Sequence, residues 1–396
     1  MIYQLVSLYR AWLVTHHLGF FRLFLDVTFQ TTSAMMLSFG LVLLLGPRTI
    51  RWLRQRKIGD LANFDQEAMN RLMEGKRGTP TMGGILIVSA IAITVLLLAN
   101  LANFYVHMAL ICLIWLGGVG AVDDWLKLTS HTRARAQGLA PGVPASRQGL
   151  TGLEKLLFQV GLAVLLSVFT YRNSAYDESH TLYFPFIKSA HVLLPMGAFI
   201  LIGVLVLTGT SNAVNLTDGL DGLAAGSMAI ASFAFVILAL IAGSGEFAVS
   251  GRPLSEYLYL PGIPASDQMA VVGGAMFGAC CGFLWFNCNP AQVFMGDTGS
   301  LALGGLLGYI ALVIRQELLL LVVGGIFVAE AMSVMIQRYY FKYTRLRYGQ
   351  GRRVFLMAPL HHHFQKKNWT ENQIVVRFWL IGAILALIAL ATVKIR

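Results

Sequence analysis

Long apolar runs alternate with short polar segments along most of the chain. A helix needs roughly twenty residues to cross the hydrocarbon core of a bilayer, and most of the runs approach that length. The runs lie near 21–45, 82–100, 104–122, 155–171, 193–210, 223–243, 269–286, 301–314, 317–336 and 374–393. This pattern predicts an all-α polytopic membrane protein with about ten transmembrane helices.

The composition supports this fold class, because 56% of the 396 residues are hydrophobic and only 12% are charged. Soluble globular proteins carry about twice that charged fraction. A formal net charge of +11 is also typical of nucleic-acid-binding proteins. The cations lie in the short segments between the apolar runs, however, where the positive-inside rule explains them. We therefore expect no nucleic-acid partner.

The distribution of Lys and Arg predicts the orientation in the membrane. With ten spans, the segments after the odd-numbered runs share one side, and twenty-one of the thirty Lys and Arg lie in or at the edge of these segments. We therefore expect both termini in the periplasm, a single membrane domain over 1–396, and five cytoplasmic loops. The predicted loops are about 46–81, 123–154, 211–222, 287–300 and 337–373.

Carboxylates collect in these cytoplasmic loops, and acidic residues beside membrane spans usually face a cavity, a partner or an ion. Asp123 and Asp124 are adjacent at the end of the third run, with Lys127 one helical turn further on. Two neighbouring carboxylates repel each other, so a cation or a proton must compensate them. An ordinary pair of charges at a helix end is the simpler alternative, and it stays open here.

Two further loops place polar groups beside glycines. The third loop reads NLTDGLDG, with Asn215, Asp218 and Asp221 three residues apart and no Lys or Arg nearby. This spacing predicts binding of a cation or a polar ligand, because glycine lets a ligand approach the backbone closely. In the fourth loop, Asp297 sits in a Gly-Asp-Thr-Gly turn, where it can hold Mg²⁺ while backbone amides face a phosphate. A role as N-cap of the next helix is compatible with this interpretation.

The last loop carries three successive histidines, His361, His362 and His363, followed by Lys366 and Lys367. A zinc site normally has spaced His or Cys ligands, so a diphosphate is the more natural partner of this row. Imidazoles can donate hydrogen bonds to phosphate oxygens. The first loop ends in GKRGTPTMGG, which taken alone is a weak signal.

The five predicted loops together supply oxygen ligands for a hard cation and positive groups for phosphates, all on one side of the membrane. The oxygen-rich set suits Mg²⁺ or Mn²⁺. Phosphoryl transfer needs metal neutralisation and alignment more than covalent chemistry, and a membrane offers a lipid phosphate as acceptor. We therefore expect an enzyme with its active site in a cytoplasmic-facing cleft.

Five motifs resemble those of the polyprenyl-phosphate N-acetylhexosamine-1-phosphate transferases, from about Lys76 to His363: RGTPTMGG, DDWLK, NLTDGLDGL, FNCNPAQVFMGDTGS and APLHHHF. The last resembles the phospho-N-acetylmuramoyl-pentapeptide transferase branch rather than the GlcNAc branch. The resemblance implies Mg²⁺-dependent transfer from UDP-MurNAc-pentapeptide to undecaprenyl phosphate, giving lipid I and UMP in the first membrane step of peptidoglycan synthesis. It also implies a bacterial inner-membrane location and a homodimer.

The resemblance implies roles for individual residues as well. Asp297 is the implied Mg²⁺ ligand, and further possible ligands are Asp123, Asp124 and Asp218. One of the adjacent aspartates would deprotonate the lipid phosphate, with a covalent aspartyl route as the open alternative. The catalytic candidates are Asp123, Asp124, Asp297 and His361. The implied substrate contacts are Asn215 and Asp218 for the donor, Asp221 and Phe294 for the uracil, Asn287 for the polar site, and His361, His362 and His363 for the diphosphate. Further candidates in the same cleft are Lys76, Thr81, Lys127, Lys155 and Gln337.

The sequence departs from the family pattern at two places. An insertion near 130–149 leaves the assignment of Lys155 open, and Gln365 stands where the family usually has Glu. Asp26 and Glu330 lie in or beside apolar runs and are functional candidates by default, although either is as readily structural. Two other functions also stay open: a related transferase that uses UDP-GlcNAc, and a transporter whose carboxylates line a pathway.

Overall fold

The computed structural model describes most of the chain. It leaves out 57–77, 137–148, 175, 188–189, 244–247, 250 and 394–396, and it gives only the backbone of 131–136 and 248–249. All structural statements below refer to the described residues.

Helices dominate the described chain, which confirms the predicted all-α fold class. They are α1 (Ile2–Leu8), α2 (Arg10–Thr15), α3 (Val27–Gln55), α4 (Gly84–Leu98), α5 (Phe104–Ala136), α6 (Gly152–Asn173), α7 (Met196–Thr217), α8 (Leu223–Gly243), α9 (Leu254–Tyr257), α10 (Gln268–Asn287), α11 (Gly296–Val313), α12 (Glu317–Val323), α13 (Gly325–Tyr348), α14 (Leu360–Lys366) and α15 (Glu371–Thr392). Short 3₁₀ helices cover Gly19–Leu25 and Asp177–His180. Two small antiparallel hairpins pair β1 (Thr181–Tyr183) with β2 (His191–Leu193) and β3 (Ala248–Val249) with β4 (Arg252–Pro253).

Each predicted apolar run coincides with a helix or a pair of helices. Eight helices in the described part of the chain are long and apolar enough to cross a bilayer: α3, α5, α6, α7, α8, α10, α11 and α15. The run at 82–100 forms the 15-residue helix α4. The run at 317–336 is not one straight helix as predicted, because α12 and α13 meet at Gly324 with a bend of 86°. Hydropathy reports the apolar length of such a segment but not its direction.

Several helices continue beyond their apolar runs into the predicted loops. Helix α3 ends at Gln55, α5 at Ala136 and α13 at Tyr348, so the loops predicted from 46, 123 and 337 begin as helix. Likewise α7 runs to Thr217, inside the loop predicted from 211. These predicted loops are therefore partly helical. A helix needs only intact backbone hydrogen bonds to continue, and these do not require apolar side chains.

Small residues let the central helices approach closely. Helices α10 and α11 are buried on almost all sides; α10 packs against α3 and α8, and α11 packs against α5 and α7. A Cβ added at Gly304 of α11 would lie 2.6 Å from the carbonyl oxygen of Thr210 on α7. Such contacts replace the hydrophobic driving force that is weak between helices in lipid. They fix the spacing of the helices that carry the polar cluster described below.

Side chains close several helix ends. Asp26 accepts a hydrogen bond from the backbone N–H of Phe29 at 2.9 Å and so caps α3. Hydrogen bonds from Thr28 and Phe29 hold the pKa of Asp26 below its usual value. Thr151 and Thr370 form capping boxes at the starts of α6 and α15. Asp26 thus has a structural role at a helix start.

Candidate active site

Three carboxylates meet where α5 and α11 lie side by side. Asp123 and Asp124 are on α5, and Asp297 is the second residue of α11. One oxygen from each lies within 4.8 Å of the other two, a spacing at which they could share a metal ion. Asp123 is fully buried and Asp124 nearly so, whereas the side chain of Asp297 is 13% exposed. The sequence placed Asp123 and Asp124 in one predicted loop and Asp297 in another, and the fold brings the two loops together.

Asp124 caps the first turn of α11 from the neighbouring helix. Its Oδ1 accepts a hydrogen bond from the backbone N–H of Asp297 at 3.1 Å. Its Oδ2 accepts from the backbone N–H of Thr298 at 3.0 Å and from the hydroxyl of the same residue at 2.7 Å. A negative charge at this position also suits the positive end of the helix dipole. The capping role considered for Asp297 therefore belongs to Asp124, and the Asp297 carboxylate faces the cluster instead.

Two lysines compensate the clustered carboxylates. Lys127 Nζ lies 2.7 Å from Asp123 Oδ2 and 3.3 Å from Asp297 Oδ1. Lys155, at the start of α6, lies 2.7 Å from Asp123 Oδ2 and 2.6 Å from Asp297 Oδ2. The other oxygen of Asp123 accepts from the backbone N–H of Leu150 at 2.7 Å. The structure thus places Lys155, whose assignment the inserted segment had left open, in direct contact with the aspartates.

Glycines make this close approach possible. A Cβ added at Gly120 would overlap the backbone carbonyl of Asp297, and one added at Gly84 would overlap the backbone of Gly299. Gly296 has φ +73°, and a Cβ there would lie 2.7 Å from Asp124 Oδ2. A left-handed residue that also touches a carboxylate requires glycine. Glycines within and beside the motifs are therefore part of the geometry of the aspartate cluster.

The segment after α7 lies against the start of α11. Asn215 donates a hydrogen bond to Ser300 Oγ at 2.9 Å. Asp218 accepts a hydrogen bond from the backbone N–H of Gly296. Burial raises the pKa of Asp218 to about 7, with further increases from the charges of Asp297 and Asp124. A fourth carboxylate therefore adjoins the three, and the region as a whole favours added positive charge.

Hydrogen bonds connect the segment around Asp221 with the segment around Asn287. Asp221 Oδ2 accepts hydrogen bonds from Asn289 Nδ2 at 3.0 Å and from the backbone N–H of Ala291 at 3.1 Å. Asn287 Oδ1 accepts from the backbone N–H of Gly222 at 3.0 Å, and its Nδ2 donates to the carbonyl of Val293 at 2.9 Å. The third and fourth predicted loops are thus joined directly by hydrogen bonds.

The segment around Phe294 lies beside the segment that contains Thr81. The backbone N–H of Phe294 donates to the carbonyl of Pro80 at 2.8 Å, and its carbonyl accepts from the N–H of Gly83 at 2.8 Å. These bonds hold the TPTMGG segment next to the start of α11. A Cβ added at Gly296 would lie 3.1 Å from the Thr81 hydroxyl oxygen, which places that hydroxyl at the rim of the aspartate cluster.

The histidines form part of the short helix α14. His361 and His362 are buried, and His362 Nδ1 lies 2.7 Å from Oε1 of Gln365. Gln365, the departure from the family pattern, thus contacts a neighbouring histidine directly. His363 Nδ1 accepts a hydrogen bond from the backbone N–H of Leu356 at 3.1 Å.

The side chain of Gln337 binds the backbone of the segment before α14. Its side chain accepts hydrogen bonds from the backbone N–H groups of Val354 and Phe355 at 3.0 Å and donates to the carbonyl of Phe355 at 3.1 Å. It therefore fixes the segment before the histidine helix. Lys76, which was also predicted to lie in the cleft, is outside the described residues.

Comparison with known proteins assigns the chain to a family. A model of glycosyl transferase family 4 matches residues 106–315, and phospho-N-acetylmuramoyl-pentapeptide-transferase signature 1 matches residues 76–88. The phospho-N-acetylmuramoyl-pentapeptide-transferase of Desulfotalea psychrophila is 43% identical over 95% of this chain and 96% of its own length. The protein of the same name from Chloroherpeton thalassium is 42% identical over the whole of both chains. The chain belongs to the phospho-N-acetylmuramoyl-pentapeptide-transferases.

Membership of this transferase family confirms the resemblance predicted from the motifs. It also confirms a multi-pass membrane enzyme, because eight described helices can span a bilayer. The Asp123, Asp124 and Asp297 cluster is a set of hard oxygen donors that fits a divalent cation. The net charge of three carboxylates and two lysines leaves room for further positive charge, which agrees with the raised pKa of Asp218.

The structure adds three residues to the site that the motifs did not single out. Thr298 holds Asp124, and its position inside the Gly-Asp-Thr-Gly turn was a signal that could have found it. Glu371 Oε1 accepts from the backbone N–H of Asp221 at 2.7 Å, and nothing in the sequence connects two residues so far apart. Glu330 was noted as an intramembrane carboxylate, and it contacts His361.

Proposed function

We propose that this protein transfers phospho-MurNAc-pentapeptide from UDP-MurNAc-pentapeptide to undecaprenyl phosphate. The products are lipid I and UMP. The observation that carries this proposal is the buried cluster of Asp123, Asp124 and Asp297 with its two lysines, in a chain that matches the transferase signature. Phosphoryl transfer demands charge neutralisation and alignment, and the cluster is suited to both.

The proposed metal ion is Mg²⁺, with Mn²⁺ as a possible substitute. Asp297 would hold it, with oxygens available from Asp123, Asp124 and Asp218. The bound ion would neutralise charge on the phosphates of the donor. Asp124 fixes the backbone of Asp297, and Lys127 and Lys155 hold its carboxylate. Either Asp123 or Asp124 would take the proton from the lipid phosphate before in-line attack on the β-phosphate, and a covalent aspartyl route is the alternative.

The remaining site residues would bind the donor. Lys127 and Lys155 lie on the aspartates and would also face the phosphates, where lysine acts as a point charge. Asp221 and Phe294 would form the uracil pocket, and His361, His362 and His363 would face the diphosphate. Asn215, Asn287, Thr81 and Gln337 would shape the same cleft, Gln337 through the backbone segment that it holds.

The orientation proposed from charge places the aspartate cluster on the cytoplasmic side of the bacterial inner membrane. Hydrogen bonds join the described parts of the five predicted loops in series, from Pro80 to Phe294, Asp124 to Thr298, Gly222 to Asn287 and Asp221 to Glu371. A cytosolic nucleotide sugar would therefore reach every site residue from one side. We propose one membrane domain over 1–396 with both termini in the periplasm, and a homodimer remains a prediction from the family.

An apolar groove along α7 is suited to the lipid acceptor. It lies between α7, α12 and α13 with a volume of about 470 Å³, and its lining is almost wholly apolar. Residues on its walls include Val206, Gly209, Ala213, Phe327 and Met332. Ala213 lies within one helical turn of Asn215, so the groove ends at the same level of α7 as the polar residues. A polyprenyl chain lying here would bring its phosphate to the aspartates.

Filling this groove should weaken acceptor binding selectively. Gly209 lines the groove, and a Cβ there would meet open space, so Gly209→Phe should fold normally. We expect KM for undecaprenyl phosphate to rise about tenfold with KM for the nucleotide sugar unchanged, because only ground-state acceptor contacts are lost. Gly197→Phe on the same helix, also facing open space, is the matched control. Equal effects of the two substitutions on KM for the acceptor would exclude the groove as the lipid site.

The proposed reaction is tested by measuring lipid product formed by the purified protein in detergent with Mg²⁺ or with EDTA. Labelled UDP-MurNAc-pentapeptide and undecaprenyl phosphate should give a lipid product and UMP in equal amounts, and EDTA should abolish both. UDP-GlcNAc should neither replace the donor nor compete strongly with it. Product from UDP-GlcNAc instead would favour the related transferase, and absence of product with either donor would lead to transport assays.

A further inference from the structure

Glu330 is a buried carboxylate that the proposed reaction does not yet use. It lies on α13 shortly after the bend at Gly324, and its side chain has no solvent exposure. A carboxylate in such surroundings is costly unless it has a partner. Its partner therefore shows what the residue does.

Glu330 contacts His361 at two places. The backbone N–H of His361 donates to the two carboxylate oxygens at 3.1 and 3.4 Å. The ring nitrogen Nδ1 lies 3.2 Å from Oε2, an ion contact that does not have the geometry of a hydrogen bond. His361 is itself only 1% exposed. One carboxylate thus fixes both the start of α14 and one edge of the imidazole.

The other edge of the imidazole faces the polar cleft. Because Nδ1 faces Glu330, Nε2 faces away from it, and a Cβ added at Gly219 would overlap that nitrogen. Gly219 follows Asp218 in the segment that lies against the start of α11. In the part of the chain that the structure describes, both ring nitrogens of His361 are buried and neither makes a hydrogen bond, although Nδ1 has the Glu330 carboxylate beside it. The ring nitrogen Nε2 therefore lies against the segment that carries Asp218, and no described protein group binds it.

We propose that Glu330 is a positioning residue that acts through His361, an inference that rests on the proposed function. The negative charge of a carboxylate beside Nδ1 favours the tautomer that carries its ring proton on that nitrogen. Glu330 therefore keeps Nδ1 protonated, prevents the ring from turning over, and leaves Nε2 to face the diphosphate of the donor. Carboxylates orient imidazoles in this way at metal sites and in hydrolase triads.

Glu330→Gln tests this role with little change of shape. The glutamine oxygen can still accept from the backbone N–H of His361, but its amide now donates towards Nδ1 and favours the opposite tautomer. We expect kcat to fall about 10- to 100-fold while KM for the nucleotide sugar changes less than about threefold. The thermal unfolding midpoint should stay close to that of the unchanged protein.

A double variant separates positioning from a general loss of structure. His361→Ala removes the group through which Glu330 acts, so adding Glu330→Gln to it should lower kcat no further. Full additivity of the two losses would overturn the proposal, as would an unchanged kcat in Glu330→Gln. If the Gln variant does not fold, Glu330→Asp serves instead, and an intermediate kcat is expected because the charge remains at a longer distance.

The tautomer can be read without measuring activity. Nitrogen NMR of histidine-labelled protein in bilayers should show one histidine protonated at Nδ1 whose signal disappears in His361→Ala. In Glu330→Gln the same nitrogen should lose its proton. An unchanged signal would overturn the positioning role even if transfer occurs. Failure of the unchanged protein to make lipid product would instead contradict the proposed function and leave the coupling between Glu330 and His361 to be judged by the spectrum.

Discussion

Replacing Asp297 by Asn is expected to lower the turnover number for lipid I formation by at least about 10³-fold, which corresponds to about 4 kcal/mol of transition-state stabilisation. The substitution removes the proposed metal ligand and both lysine contacts that hold its carboxylate, one of them at 2.6 Å. Asn keeps the volume and the helix start, because the cap of α11 comes from Asp124. The measurement is kcat in detergent with saturating Mg²⁺.

Glu178→Gln is the matched control for this substitution. Glu178 is an exposed carboxylate in a 3₁₀ helix outside the cluster, and its loss should leave kcat within a factor of about two. If Asp297→Asn retains more than about a tenth of the activity, the carboxylate does not hold the metal. The unfolding midpoints of both variants should be compared first, so that a folding defect is not mistaken for lost chemistry.

Gly120→Ala should damage both stability and turnover although it adds a single methyl group. The added Cβ would overlap the backbone carbonyl of Asp297, and a backbone cannot turn aside as a side chain can. Helices α5 and α11 must then separate by about 1 Å, a displacement that costs about 10²-fold in rate when it misplaces reacting groups. Overpacking of this kind lowers the free energy of unfolding by about 1–3 kcal/mol.

Gly118→Ala provides the comparison on the same helix. A Cβ at Gly118 meets open space, and alanine is the better helix former, so stability should be unchanged or slightly higher. Thermal unfolding and kcat of the two variants give the measurement. Identical behaviour of the two alanines would show that the close contact of Gly120 with α11 does not set the geometry of the aspartates.

The spans could be predicted from the sequence because each one is a local property. All ten apolar runs became helices, since twenty apolar residues can satisfy their backbone groups in lipid only in that way. The bend at Gly324 and the helical starts of the predicted loops were not predictable in the same way. Both depend on how neighbouring helices pack and not on hydropathy.

The candidate site could also be predicted only in part from the sequence. Sequence motifs selected Asp123, Asp124 and Asp297, because acidic residues beside glycines at span ends are rare without a function. They did not reveal that Asp124 caps the helix carrying Asp297, since that contact joins residues 173 positions apart. Glu330 was noticed only as an unusual residue in an apolar run. Its connection to His361 appears only when α13 and α14 are folded against each other.

The glycine contacts between α5 and α11 have a consequence for how the protein responds to its surroundings. No flexible loop separates Asp123, Asp124 and Asp297 from the helices that cross the bilayer. A force that squeezes or spreads the helices therefore changes the distances between the carboxylates directly. We therefore expect lipid thickness and lateral pressure to change the distances between the aspartates. A site carried on a flexible loop would keep its geometry when the helices move.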